Sequence, residues 1–115
     1  MKKLTARPIL ALLIIALAAG LAVAQTNATK TLEGTVFGSN NVPLSGAIVY
    51  LQDGKSNGIR SFFSTSNGSY RFGPLSSDTD YQVWAQYKNQ KSSTKTVSSY
   101  DSRKNIVIDL HIKTK

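Results

Sequence analysis

The sequence predicts an all-β fold, a seven-stranded antiparallel sandwich, preceded by a signal peptide helix. Three observations predict it. Short alternations of apolar and polar residues recur along residues 31–113, separated by Gly, Asn, Asp and Ser breaks at intervals of about 8–12 residues. The stretch 64–75, STSNGSYRFGPL, reads as a β-hairpin: Asn67-Gly68 tolerates the positive φ of a tight turn, and Tyr70 and Phe72 then fall on one face of the departing strand. Helical patterning is confined to the first 24 residues.

Those 24 residues read as a leader. Lys2, Lys3 and Arg7 precede an almost unbroken apolar run over 9–19, and Ala22-Val23-Ala24 supplies a small-x-small site before Gln25. These are the parts of a secretory signal peptide cut between Ala24 and Gln25. The competing reading is an uncleaved membrane anchor, but residues 9–24 include Gly20 and fall short of the roughly 20 residues that span a bilayer. Cleavage leaves an exported chain, periplasmic or secreted, with a polar lead-in over 25–30 and one domain over 31–113.

Three of the 14 Lys and Arg lie in the leader and none of the 6 acids do, so eleven bases face six acids, a formal +5. These cations are dispersed, with only Arg103-Lys104 adjacent, which fits solubility better than a nucleic-acid surface; a weak attraction to anionic polymers stays open. The chain has no cysteine. A small exported domain without disulfides depends on its hydrophobic core, and thiol catalysis, thiolate metal sites and lipoprotein anchoring are excluded.

The strands follow in order. Leu32, Gly34 and Val36 alternate along the first, residues 31–37, before the turn 38–41; Pro43, lacking an amide donor, suits a connecting corner. In the second, 46–52, Ala47, Val49 and Leu51 face one way and Ile48 and Tyr50 the other. A glycine-rich loop over 53–58 leads to the third, 59–65, where Phe62 and Phe63 point to opposite faces, one expected in the core and one at an edge or under a loop. The fourth leaves the 67–68 turn and ends where Gly73-Pro74-Leu75 departs, and 76–80 connects. The fifth, 81–87, aims Tyr81, Val83, Ala85 and Tyr87 to one face and Gln82, Trp84 and Gln86 to the other. Residues 91–97 read as an edge strand whose lysines discourage pairing. The last, 105–113, alternates Ile106, Ile108, Leu110 and Ile112 with Val107, Asp109, His111 and Lys113.

Read together, LEGTVFGSNNVPLSGAIVYL, TSNGSYRFGPL and YQVWA resemble the carboxypeptidase regulatory-like domain of the transthyretin-like sandwiches. Leu32, Gly34 and Val36 match that family's first strand, and Pro43, Leu44, Gly46, Ala47, Val49 and Leu51 its second. Gly68, Tyr70, Phe72 and Leu75 match its turn and fourth strand, and Tyr81, Val83 and Ala85 its fifth. The resemblance implies a Greek-key sandwich of prealbumin-like type, grouped with carbohydrate-binding-like folds, and a role as an accessory rather than a catalyst. Two positions depart from the pattern: Thr65 stands where an acid is frequent, and Thr79-Asp80 where a glycine usually precedes the tyrosine. The chain is also similar to collagen-adhesin B-type domains, which form a Lys-Asn crosslink promoted by a buried acid. Ala85 occupies that acid position, so no crosslink is expected between Lys30 and Asn105.

Catalysis needs a nucleophile, a base and an orienting group, or a metal cluster. The single histidine, His111, falls on an outward phase between Asp109 and Lys113, a solvated position. Asp109 with His111 makes two metal ligands without a third, and Asp78 with Asp80 reads as loop carboxylates rather than a calcium site. No catalytic residue, metal or cofactor is assigned. The informative residues are outward aromatics: Tyr50 and Trp84, with Ile48 and Gln86 beside them, form a docking patch for an envelope protein or a stacking platform for a polysaccharide. The alternative is that Trp84 is covered by the loop 53–58 or by the polar terminus. The expectation is an exported, non-enzymatic module with a structural or protein-binding role, with carbohydrate binding as the second reading.

Overall fold

The computed structural model describes residues 29–114. The expected leader, its Ala24–Gln25 cut and the start of the lead-in lie outside the described residues. The strands are β1 (Thr29–Phe37), β2 (Ile48–Asp53), β3 (Ile59–Phe63), β4 (Ser69–Ser76), β5 (Tyr81–Tyr87), β6 (Gln90–Lys91), β7 (Lys95–Val97), β8 (Asn105–Val107) and β9 (Leu110–His111). β1 thus begins inside the expected lead-in, and Lys30 is buried there.

The nine strands form two sheets. In the first, β1 lies between β4 and the pair β8, β9; in the second the order is β3-β2-β5, with β6 and β7 both on the far side of β5. Because β6 with β7, and β8 with β9, are interrupted halves of one path, the nine segments follow the seven expected tracks, three in one sheet and four in the other.

The all-antiparallel expectation is corrected: β8 and β9 run parallel to β1, with Leu32 opposite Ile106 and Val36 opposite Leu110. Successive tracks alternate in direction, so the first and seventh point the same way. When they become neighbours they can only pair parallel. The expected hairpin at Asn67-Gly68 is also corrected, because β3 and β4 belong to different sheets. The turn carries the chain across the sandwich. The Gly68 amide donates to the Thr65 carbonyl at 2.8 Å, and only Gly68 in this turn takes positive φ, +77°. Its carbonyl then accepts the Val36 amide at 2.8 Å, so the turn is anchored on β1 rather than on β3.

Two further boundaries moved for local reasons. β4 does not end before Gly73-Pro74-Leu75: Leu75 pairs with Lys30 and Ser76 with Thr29, while the register slips between Leu32 and Lys30. Gly73 and Pro74 together oppose Thr31, a bulge in which proline's missing donor costs no ladder bond. The expected edge strand 91–97 breaks at Ser92, which is buried. Its amide donates to the Ala85 carbonyl at 2.9 Å and its hydroxyl accepts the Ala85 amide at 2.8 Å. At the opposite edge of the same sheet Ser64 treats Ala47 the same way, at 2.8 and 2.9 Å. Each serine completes the ladder with its side chain as its own backbone turns away.

The core lies between the sheets. Leu32, Val36, Tyr70, Phe72, Leu75, Ile106, Leu110 and Ile112 come from the first, and Val49, Leu51, Tyr81, Val83, Ala85 and Val97 from the second. Ala47, Val49, Leu51, Tyr81, Val83 and Ala85 are inside as expected and Tyr87 is half-buried against the core, but Phe62 and Phe63 are exposed. Phe62 meets Phe72 edge-on at 6.3 Å and stays 39% exposed, because β3 overhangs the edge of the sandwich.

One contact closes the first sheet. The ladder between β1 and the last track opens at Ile108 and Asp109, and the Ile108 carbonyl turns inward to accept the Tyr70 hydroxyl at 2.6 Å. It passes over Gly34, where an added Cβ would lie 1.8 Å from the Ile108 oxygen. The Asp109 carboxylate replaces the lost acceptor by taking the Thr35 amide at 3.0 Å. Burial, and next the nearby Asp109 charge, hold the Tyr70 hydroxyl well above the ordinary phenol range.

Denaturant unfolding measures four outcomes for stability. Tyr70→Phe strands a buried carbonyl and costs about 1–3 kcal/mol, and Gly34→Ala, which forces the last track off β1, costs about 3 kcal/mol or more. The folded chain keeps the Tyr70 proton that the unfolded chain releases above about pH 10. That contribution is complete below pH 10 and is lost as pH rises further, so Tyr70→Phe shows a shallower alkaline decline. Ser92→Ala leaves the buried Ala85 amide without an acceptor and costs about 1–3 kcal/mol.

Candidate functional site

The candidate site is the outer face of the four-track sheet. Strand alternation places it: with Val49, Leu51, Val83 and Ala85 committed to the core, Ile48, Tyr50, Gln52, Gln82, Trp84 and Gln86 must face out. β2 and β5 pair antiparallel in a register that sets Tyr50 directly opposite Trp84 and Ile48 opposite Gln86. The two rings stack with centroids 5.5 Å apart and planes 21° from parallel. Cross-strand aromatic pairs of this kind stabilise a sheet.

The neighbouring strands extend the face. On β3, Ser61 lies opposite Tyr50, Phe63 opposite Ile48 and Ile59 opposite Gln52. On the other side Lys91, opposite Gln86, brings its ammonium 5.4 Å from the centre of the Trp84 ring, a cation–π contact. Tyr50, Trp84 and Ile48 are half-buried and Gln86 is exposed. The structure therefore brings all four expected residues together.

Sequence reasoning missed Phe63, Ile59 and Lys91. Phe63 is 67% exposed and Ile59 54%, on the same face as the aromatic pair. The available signal was the glycine-rich loop after β2, which fixes the register of β3 against it. The loop does not close over Trp84 through hydrogen bonds. Its Asp53 carboxylate accepts the Lys55 and Ser56 amides at 2.8 and 3.2 Å, and the Asn57 amide returns to the Asp53 carbonyl at 2.8 Å.

Elsewhere the reactive groups are committed. His111 is exposed and stacks on Phe37 at 5.3 Å, while Asp109 holds the Thr35 amide. Asp78 accepts the Ser76 hydroxyl and pairs with Lys55 at 3.2 Å, which lowers its pKa, the Ser76 bond first among the causes. Asp80 takes the Ser99 amide at 2.6 Å. Among the described residues no three His, Cys, Asp or Glu gather as metal ligands. Lys30 donates to the Ser98 carbonyl at 3.1 Å, and Asn105 lies opposite Thr31 on the neighbouring track. An open groove of about 410 Å³ on the other sheet is lined by Glu33, Phe62, Arg71 and Val107, and its Glu33–Arg71 pair is 3.9 Å apart.

Comparison with known structures shows the fold. The chain is similar to BcpA, the major pilin subunit of Bacillus cereus, with TM-score 0.60 and 16% identity over 76% of this chain and 30% of the pilin. It is similar to catechol 1,2-dioxygenase from Acinetobacter sp. ADP1, with TM-score 0.55 and 14% identity over 76% of this chain and 53% of the enzyme. A C-terminal fragment of the pilus adhesin SpaC from Lactobacillus rhamnosus GG gives TM-score 0.54 and 14% identity over 76% of this chain and 46% of the fragment. The chain thus spans about half of the dioxygenase and under a third of the pilin. No curated protein matches it. The family model described as a carboxypeptidase regulatory-like domain matches residues 31–112, and no catalytic family is assigned. With its β1, β2, β4 and β5 motifs on the strands that build the two sheets, the chain belongs to the carboxypeptidase regulatory-like domain family.

Proposed function

We propose that the chain is an exported, non-enzymatic sandwich module that binds an envelope or extracellular protein through the outer face of its four-track sheet. The observation that carries this reading is the contiguity of that face. Tyr50 and Trp84 stack at its centre and Phe63 and Ile59 stand exposed beside them. Single exposed apolar residues are ordinary, whereas grouped aromatics with a cation at the rim have the composition of a contact surface. The commitment of Asp78, Asp80, Asp109 and His111 to structural contacts supports a non-catalytic role. Pilin subunits and a pilus adhesin built on the same fold support a structural or adhesive setting.

A second reading is favoured by the near-parallel Tyr50–Trp84 pair with Gln52, Gln82 and Gln86 around it. Half-buried aromatic rings edged by amides suit a sugar ring, with C–H contacts to the rings and hydrogen bonds to its hydroxyls.

Capture from an envelope extract tests the first reading, comparing wild type with Trp84→Ala, Tyr50→Ala and, on the other sheet, Val107→Ser. The protein-docking reading expects the two aromatic variants to lose at least about tenfold of the captured partner and Val107→Ser to lose none; equal capture by all four contradicts it. Trp84 is the chain's one tryptophan, so its fluorescence reports the same face. Titration with a panel of polysaccharides leaves it unchanged if the partner is a protein. A saturable change that Tyr50→Ala abolishes transfers the site to carbohydrate.

A further inference from the structure

The two edges of the four-track sheet are built differently. At the β6–β7 edge the strand is broken at Ser92 and carries Lys91 and Lys95, with Lys88 in the preceding turn. Natural sheets use such breaks and lysines to refuse another strand. The β3 edge has neither device. It pairs with β2 without a slip over five residues, every one of them exposed, and Arg60 is its single charge.

The backbone of β3 is also poised for a partner. The amides of Ser64 and Asp53 mark hydrogen-bonded rungs, Ser64 with Ala47 and Asp53 with Gly58. Bonding alternates along an antiparallel ladder, so Arg60 and Phe62 spend their backbone groups on β2. Ile59, Ser61 and Phe63 therefore turn theirs outward. Among the described residues these groups make no hydrogen bond to another part of the chain.

We infer that this edge pairs antiparallel with the same edge of a second copy of the chain, about a two-fold axis at Ser61. In that register Ile59 faces Phe63 of the second copy, Ser61 faces Ser61, and Arg60 faces Phe62. The outward-turned backbone groups then meet one another and form about six hydrogen bonds between the chains. On the outer face each Ile59 packs on a Phe63, and on the inner side each Arg60 guanidinium meets a Phe62 ring. A one-residue slip sets outward groups against committed ones. A two-residue slip either places Arg60 against Arg60 or runs Ile59 into the Thr65–Gly68 turn. The charge pattern thus selects the central register. The product is one continuous sheet of two copies, with a Tyr50–Trp84 platform on each half. This pairing goes beyond the docking reading and does not depend on it: the two share Ile59 and Phe63 on the outer face, but the pairing rests on the outward backbone groups of β3.

A five-residue edge buries less than the roughly 1,200 Å² at which stable interfaces begin, so the pairing is weak and concentration-dependent. Sedimentation of the full chain, expressed with its own leader, is expected to show mass doubling between about 10 and 500 µM. Ser61→Pro removes only an outward amide and is expected to keep Trp84 fluorescence unchanged while holding the chain monomeric. Ser61→Cys provides a second readout in a chain that has no cysteine. Its two copies face each other about 5.5 Å apart at Cα, within disulfide reach, so it should oxidise to a covalent dimer at least about tenfold faster than Ser93→Cys at the lysine-guarded edge. A wild-type chain that stays monomeric at about 500 µM overturns the inference. So does a dimer that survives Ser61→Pro, or equal oxidation of the two cysteine variants. Protection of the Ile59, Ser61 and Phe63 amides that appears only when envelope extract is added assigns the edge to a foreign strand, and equally overturns self-pairing.

Discussion

The hydrogen bond from the Tyr70 hydroxyl to the Ile108 carbonyl, made over the bare backbone of Gly34, is the constraint on which the rest of the sandwich depends. A parallel last track must lie beside β1 and also bend to close the end of the core. The bend takes the Ile108 carbonyl out of the ladder and into an apolar interior, where an unpaired acceptor is costly. Tyr70 supplies the donor, Gly34 supplies the room, and Asp109 repairs the Thr35 amide that the bend orphans. Three residues from β1, β4 and the last track thus solve one geometric problem, and Leu110 and Ile112 can then enter the core.

This arrangement separates the two sheets by role. The outer face of the three-track sheet is occupied by its own repairs and pairs: Asp109 with Thr35, Glu33 with Arg71, His111 on Phe37. The four-track sheet needs no such repair at its centre, because β2 and β5 pair without a break from Ile48 to Asp53. Its irregularities sit at the ends, where Ser64 and Ser92 stand in for backbone acceptors. The middle of that sheet is left flat, and Tyr50 and Trp84 lie there.

Much of this was legible in the sequence, for a physical reason. Period-2 alternation records which side of a strand is dry, so the inward positions of β2 and β5 and the outward placing of Tyr50, Trp84, Ile48 and Gln86 could be read directly. Alternation does not record which strand lies beside which. The Asn67-Gly68 signal was read as a paired hairpin, yet its turn crosses between sheets, since local turn chemistry is the same in both cases. The parallel last track was missed because strand direction belongs to topology. The breaks at Ser92 and Ile108 were missed because a serine hydroxyl or an aspartate carboxylate can replace a backbone acceptor without disturbing the pattern of apolar residues. Phe63 and Ile59 escaped notice as part of the face because they join Tyr50 only through the register of β3 on β2.

The Ile108 bend is the lock of the fold, while β3 is its open edge. Residue-resolved native-state amide exchange tests both halves at once. The Ile108 amide, bonded to the Glu33 carbonyl at 2.9 Å, and the Val36 amide should exchange only through global unfolding, with the same free energy as the β2–β5 ladder. In dilute chain the Ile59, Ser61 and Phe63 amides should exchange nearly as fast as in an unfolded peptide. An Ile108 amide that opens locally, well before the β2–β5 ladder, contradicts a lock at that bend.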